Sequence, residues 1–254
     1  MRSDEFIALL SRQADGDGGI ERLRRAIPLG QDMAGNVVYS QKQEKTYTVR
    51  HTCITGGRRT AFIKRLLITL ACLYEREEVN FLIVSPKLEY GELFRMHAMD
   101  VTAPFIRSVS DLEQAVNCIK ELLSLYATGK GYPRLILVLD GLEELDGCNK
   151  NGDLEEYREI FDKIVRQPNI DVITGAELMK SIFSGYPGAF VGVGNCLVTT
   201  REDGKADVTY VGEDYSLSLP TAMTYPSEPS ITETLIVLNA IDKNAGIDEE
   251  GEYE

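Results

Sequence analysis

The residues whose types and spacing best suit chemistry lie between Thr55 and Thr60, in the segment Thr-Gly-Gly-Arg-Arg-Thr. An apolar strand pattern precedes this segment and an apolar helical pattern follows it, so the segment is a turn that opens a helix. Backbone N–H groups at a helix N-terminus, presented by a glycine-rich turn, bind anions such as phosphate. The segment therefore has the layout of a phosphate-binding loop.

The loop departs from the full phosphate-binding pattern, in which Gly and four further residues precede Gly, Lys and then Ser or Thr. If Thr60 provides the hydroxyl, Arg59 stands where Lys is expected, Arg58 where the second Gly is expected and Cys53 where the first is expected. The strand, turn and helix pattern thus predicts the backbone geometry of an anion site, but the side chains that usually bind the phosphate are replaced by others. The candidate phosphate-binding residues are Thr55, Gly56, Gly57, Arg58, Arg59 and Thr60.

A second candidate is Asp140, which directly follows the apolar run Leu135–Leu139. An acid at the end of a buried strand can hold Mg²⁺ beside a phosphate loop, so Asp140 and the Thr60 hydroxyl are the candidate metal ligands. Taken singly, a turn between strand and helix and an Asp after a strand are ordinary features of α/β proteins. Together in one chain, about 80 residues apart, they favour descent from a nucleotide-binding protein.

The elements that must position these residues alternate between apolar strand patterns and helical patterns. This alternation predicts an α/β fold with right-handed βαβ units and a mostly parallel sheet that has helices on both faces. In such sheets ligands bind beyond the carboxyl ends of the strands, so we expect the loop and Asp140 in one cleft. The strands predicted for the central sheet are Val49–Ile54, Phe81–Val84, Leu135–Leu139 and Ile170–Ile173.

Other patterns divide the chain into three parts. We expect an N-terminal helical arm over 1–26, one α/β domain over 27–241 and an acidic, disordered tail over 242–254. Six acids and one Lys give the tail a net charge of −5. Within the domain we expect an apolar helix over 60–77, a capped helical stripe from Ser110 and short hairpin strands near both ends.

The composition restricts the classes of protein and of site. The 254 residues include 43% apolar residues, enough to bury a full core, and the net charge of −13 argues against a broad DNA-binding surface. The five cysteines are widely spaced and include no C-x-x-C pair, and the chain has only two histidines. This pattern disfavours a disulfide framework and a structural metal site. Without an apolar run near the roughly 20 residues that span a bilayer, and with an acidic N-terminus, we expect a cytoplasmic protein with no membrane insertion.

The chain resembles the motor domain of FtsK/SpoIIIE-type P-loop ATPases, including the related ATPase modules of type VII secretion. The resemblance covers about residues 27 to 215 and is carried, in order, by Ile27-Pro-Leu-Gly-Gln-Asp-Met-Ala-Gly, Thr55–Thr60, Phe81–Lys87, Leu135–Asp140 and Gly192–Leu197. It implies a RecA-like P-loop NTPase fold with ATP and Mg²⁺ as cofactors and Asp140 as the catalytic acid that holds the metal. It also implies protein partners in a larger machine, in a homo- or hetero-oligomeric ring that moves DNA or exports protein.

Three departures from the family pattern bear on activity. Arg58 adds a bulky side chain where the backbone must approach phosphates closely, and Arg59 replaces a compact ammonium by a planar fork. Gly141 stands where the family has an acid that positions the attacking water.

These departures favour a degenerate module with weak or no ATP hydrolysis, which acts as a binding or assembly subunit of a secretion or DNA-transfer machine. The alternative is an active ATP-driven DNA or protein translocase. A phosphate or nucleotide sensor that uses Arg58 and Arg59 is a variant of the first interpretation.

Overall fold

The structure, a computed structural model, describes most of the central part of the chain. The described residues are 3–14, 26–41, 50–71, 74, 77–85, 90, 106–109, 112–126, 131–141, 159–160, 163–175, 196–211 and 217–225. Helices among them are α1 (Ser3–Ala14), α2 (Arg59–Ala71) and α3 (Leu112–Tyr126). The strands are β1 (Pro28–Asp32), β2 (Val37–Tyr39), β3 (His51–Thr55), β4 (Val79–Val84), β5 (Ile106–Val109), β6 (Arg134–Leu139), β7 (Ile170–Gly175), β8 (Cys196–Thr200), β9 (Lys205–Tyr210) and β10 (Thr221–Thr224).

All ten strands form one sheet, in the order β2-β1-β10-β9-β8-β3-β7-β6-β4-β5. The six strands from β8 to β5 in this order run parallel to one another. The other four strands, β9, β10, β1 and β2, continue the sheet in antiparallel fashion. The predicted α/β fold with a mostly parallel central sheet is confirmed, and each of the four predicted central strands overlaps one of its parallel strands, β3, β4, β6 or β7.

The strand order determines where the two candidate site elements meet. Strand β7 lies between β3 and β6 and pairs in parallel with both, so that Val172 is opposite His51 on one side and Leu137 on the other. The loop after β3 and Asp140 after β6 consequently flank the carboxyl end of β7 at the same edge of the sheet.

The apolar runs of the sequence are buried as their patterns predict. Every residue of β7 is buried, as is every residue of β6 after Arg134, which is typical of parallel strands covered on both faces. Helix α2 buries nine of its thirteen residues, including Phe62, Leu66 and Leu70. It begins at Arg59 and is described as far as Ala71, whereas the predicted helix reached residue 77, which lies in a turn before β4.

The antiparallel part of the sheet was only partly visible in the sequence. Both hairpins were predicted, but β10 was not, because its four residues Thr-Ala-Met-Thr show no clear strand pattern. Strand β10 pairs with β9 and with β1 and so joins the first hairpin to the sheet. Helix α1 adds Phe6 and Leu10 to the main hydrophobic core, where both side chains are fully buried.

Parts of the predicted organisation fall outside the described residues. These are residues 15–25 of the N-terminal arm, residues 226–241 of the domain and the tail over 242–254. Among the described residues, no helix combines the length and the apolar character that a bilayer crossing requires.

A buried ion-pair network ties three parallel strands together at their amino ends. Asp171 of β7 accepts hydrogen bonds from Arg50, which precedes β3, at 3.1 Å through both carboxylate oxygens. Arg134 at the start of β6 donates its Nε–H to Asp171 Oδ2 at 2.5 Å. Burial alone would raise the pKa of the Asp171 carboxyl, but the charges and hydrogen bonds of Arg134 and Arg50 outweigh it and lower that pKa.

Candidate phosphate-loop site

The loop that follows β3 has the backbone form expected of a turn that opens a helix. The sequence pattern predicts Thr55 in the turn, but in the structure Thr55 is the last residue of β3. Gly56 has a positive φ of 104°, and the Arg59 N–H donates to the Gly56 carbonyl oxygen at 3.3 Å as α2 begins. The positive φ explains why glycine occupies this position.

The β8–β9 hairpin packs closely against the two glycines of the loop. A Cβ on Gly56 would lie 2.3 Å from the carbonyl oxygen of Thr200, and one on Gly57 would lie 2.5 Å from Glu202 Oε1. The Thr200 hydroxyl also donates to the Thr55 carbonyl oxygen at 2.9 Å. The close backbone approach that such glycines permit is therefore made by this chain's own hairpin.

Asp140 lies at the centre of a buried polar cluster, in contact with the start of α2. The Arg59 Nε–H donates to Asp140 Oδ1 at 2.7 Å, and the Thr60 hydroxyl donates to Oδ2 at 2.8 Å. The hydroxyl of Tyr90, a residue buried to 1% exposure, donates to the same Oδ2 at 2.8 Å. Asp140 itself is 0% exposed, so its carboxylate lies within a buried cluster.

Arg59 reaches Asp140 by crossing the carboxyl end of β7. A Cβ on Gly175, the last residue of that strand, would lie 2.9 Å from Arg59 Nε and 3.2 Å from its Cδ. The guanidinium therefore occupies the space that a larger side chain would fill at residue 175. Only 10% of the Arg59 side chain is exposed, so its charge is compensated by Asp140 within the protein interior.

The second arginine of the loop is placed differently. Arg58 points toward the hairpin, where its Nε lies 3.2 Å from Glu202 Oε2, and 45% of its side chain is exposed. Exposed pairs of this kind add at most about 1 kcal/mol to stability. Of the two guanidinium groups, Arg58 is thus the one accessible to an anion in solvent.

The arrangement at Asp140 does not fit a bound Mg²⁺ ion. Mg²⁺ requires oxygen ligands at about 2.0–2.1 Å in near-octahedral geometry. Both Asp140 oxygens already accept hydrogen bonds, and the cation beside them is the Arg59 guanidinium. Asp140 and Thr60, the two predicted metal ligands, are thus in contact, yet they are turned toward each other and toward Arg59.

Four residues of this site were not predicted from the sequence: Tyr90, Gly175, Thr200 and Glu202. Gly175 had a usable signal, because it lies two residues after the predicted strand Ile170–Ile173, at the edge where the loop and Asp140 were expected. The sequence carries no local signal for the other three residues. Tyr90 lies 50 positions before Asp140, and Thr200 and Glu202 lie about 140 positions after the loop. Only the fold brings them to the site.

No protein-family model matches the chain. Its sequence is similar to that of a DNA translocase FtsK from Clostridium tetani (strain Massachusetts / E88), with 27% identity over 183 residues. The match covers 59% of this chain and 24% of the relative, so the chain spans about a quarter of the length of that protein.

Three solved structures share the fold over most of this chain. An ATPase superimposes with a TM-score of 0.59 at 13% identity, over 90% of this chain and 95% of its own. The cytoplasmic domain of the Thermomonospora curvata type VII secretion ATPase EccC gives a TM-score of 0.55 at 16% identity, over 89% of this chain and 31% of its own. EssC (ATPases 2 and 3) from Geobacillus thermodenitrificans gives a TM-score of 0.52 at 13% identity, over 90% of this chain and 50% of its own. These likenesses confirm the predicted RecA-like α/β fold.

Proposed function

We propose that this chain, an FtsK/SpoIIIE-type P-loop ATPase module, is a degenerate member that hydrolyses ATP weakly or not at all. It would serve as a binding or assembly subunit of a secretion or DNA-transfer machine. A single observation carries the proposal: the Arg59 guanidinium is bonded at 2.7 Å to Asp140, the acid at which such a module holds Mg²⁺.

Hydrolysis of ATP needs three contributions that the site does not provide in this arrangement. The loop cation and Mg²⁺ must neutralise charge on the γ-phosphate, and a further group must orient the attacking water. Here the loop cation, Arg59, is turned away from the loop and onto Asp140. The residue after Asp140 is Gly141, with a positive φ of 75° and no side chain to orient water.

The surroundings of the loop also disfavour tight binding of phosphate. Glu202 places a carboxylate oxygen against Gly57, and like charges repel at short range. The remaining attraction comes from the N-terminus of α2 and from Arg58, whose guanidinium is shared with Glu202. Weak anion affinity without turnover is therefore the expected behaviour of this loop.

The choice of partner follows from charge and from the proteins that share this fold. A net charge of −13 disfavours a broad contact with the DNA backbone. The fold is shared by a type VII secretion ATPase and by EssC, which supports protein partners within a larger assembly. We propose a homo- or hetero-oligomeric ring in the cytoplasm as the form of that assembly.

The proposed function is tested by measuring phosphate release from Mg-ATP by the purified chain, beside an active FtsK motor domain. Losing the group that handles protons and water lowers a rate by about 10²–10⁴-fold, so we expect turnover at least that far below the motor. The Asp140→Asn variant sets the background of the assay.

Turnover comparable with the motor and abolished by Asp140→Asn would refute the proposal. Stimulation of that turnover by duplex DNA would then establish the translocase alternative. The matching DNA-binding measurement, fluorescence anisotropy with a labelled duplex at low salt, should show no saturable binding.

A further inference from the structure

We infer that the Arg59 guanidinium takes the place of the divalent cation at Asp140, so that this phosphate-loop fold is independent of metal ions. The inference concerns metal binding and folding rather than turnover. It rests on the Arg59–Asp140 pair that also supports the proposed function, and the experiment below separates the two.

Charge at Asp140 is the first reason for the inference. The Asp140 side chain is 0% exposed, and a buried carboxylate is tolerated only when it is paired with a cation and hydrogen-bonded. In a P-loop ATPase with bound nucleotide, Mg²⁺ lies beside this acid. Here the 2.7 Å contact from Arg59 Nε provides the compensating charge within the chain, as a charge-assisted hydrogen bond.

The space provided for Arg59 is the second reason. Because β7 separates β3 from β6, the first residue of α2 must reach across the end of β7 to contact Asp140. Gly175 ends that strand and leaves room for the arginine, whose Nε and Cζ would lie 2.9 and 3.0 Å from a Cβ there. The guanidinium thus packs against the end of β7 at Gly175, in the position from which it contacts Asp140.

The other Asp140 oxygen provides the third reason. Oδ2 accepts hydrogen bonds from the hydroxyls of Thr60 and Tyr90, both at 2.8 Å. A Mg²⁺ ion would have to displace Arg59 from Oδ1, which would break a buried ion pair, and it loses its own water reluctantly. Metal binding at Asp140 is therefore opposed by the contacts that hold the cluster together.

The experiment compares thermal unfolding of the full chain, Arg59→Ala, and the double variant Arg59→Ala with Asp140→Asn, in EDTA and in Mg²⁺ or Mn²⁺. The wild type should melt at the same temperature in EDTA and in either metal. Arg59→Ala should melt lower by roughly 10 °C in EDTA, because it leaves a buried charge uncompensated. Mn²⁺ should restore much of that loss, and the double variant, which has no carboxylate at residue 140, should not respond to metal.

Two outcomes would overturn the inference. One is a metal-induced rise in the melting temperature of the wild type that Asp140→Asn abolishes. The other is a folded Arg59→Ala variant that gains nothing from Mn²⁺. If Arg59→Ala does not fold, Mn²⁺ binding to the wild type is measured by electron paramagnetic resonance instead. Binding that Asp140→Asn abolishes refutes the inference. The absence of binding at Asp140 supports it.

The same experiment keeps the two proposals apart. Suppose the wild type turns over ATP at a high rate and its melting temperature is the same with and without metal. That result would refute the proposed function alone. Metal stabilisation of a wild type that does not hydrolyse ATP would refute the metal-independence inference alone.

Discussion

Replacing Asp171 by asparagine should lower the free energy of unfolding by about 3–5 kcal/mol, because it removes the shared partner of two largely buried arginines. The Asp171 carboxylate accepts from Arg50 at 3.1 Å and from Arg134 at 2.5 Å, with side-chain exposures of 15%, 9% and 4% for Arg50, Arg134 and Asp171. Urea unfolding at neutral pH, followed by circular dichroism, measures the loss.

A matched control makes the same acid-to-amide change at an exposed ion pair. Glu159 lies 3.7 Å from Lys163 in an i,i+4 pair whose side chains are 69% and 63% exposed. Because solvent screens such pairs, Glu159→Gln should change stability by only about 0.3–0.5 kcal/mol. Equal losses in the two variants would show that the Asp171 network adds no more than a surface pair.

The stability that Asp171 provides should also depend on pH in a defined direction. Its pKa is lowered from the ordinary 3.8, so the folded state binds protons less readily than the unfolded state. The contribution is therefore fully present above about pH 3.8 and is lost as the pH falls through the lowered pKa. The difference in unfolding free energy between wild type and Asp171→Asn should shrink over that acidic range and stay constant above it.

Replacing Gly56 by alanine should destabilise the fold by about 2–5 kcal/mol, through two separate effects. At φ 104° the backbone of Gly56 is strained for any residue with a Cβ. The added Cβ would also lie 2.3 Å from the Thr200 carbonyl oxygen, a backbone atom that moves only if the β8–β9 hairpin moves. Chemical denaturation measures the loss.

Two other glycines separate these effects. Gly204 has a positive φ of 79°, but a Cβ added there would meet nothing within 4 Å, so Gly204→Ala reports the backbone strain alone, about 1 kcal/mol or slightly more. Gly131 has neither feature, and Gly131→Ala should be close to neutral. If Gly56→Ala destabilised no more than Gly204→Ala, the contact between the loop and the hairpin would be too loose to matter.

The two ends of the parallel strands show how this module keeps its fold. At the amino ends, Asp171 is held between two arginines, and at the carboxyl ends Asp140 is held by Arg59. Each cluster joins elements that are distant in sequence, since Arg59 and Asp140 are 81 positions apart and Arg50 and Asp171 are 121 positions apart. At both ends of the parallel strands, a buried carboxylate is thus compensated by arginines from other parts of the chain.

The amino-acid sequence by itself determined the parallel core and the place of the loop. The runs Phe81–Val84 and Leu135–Leu139 are continuous and apolar, and Ile170–Ile173 is apolar except for Asp171, which is typical of strands buried on both faces. Short local patterns also predicted the turn at Gly56 and the acid at the end of the Leu135–Leu139 strand, Asp140. They could do so because the end of a strand, a turn and the start of a helix are each encoded within a few residues.

The tertiary structure alone decided what those residues contact. That Arg59 turns to Asp140 and Arg58 to Glu202 follows from the position of β7 between β3 and β6, and from the hairpin that packs on Gly56. Strand β10 likewise exists because β1 and β9 offer it hydrogen-bonding partners, although its four residues show no clear strand pattern. Contacts between residues 80 to 145 positions apart depend on how the whole sheet is assembled, and no local pattern encodes that assembly.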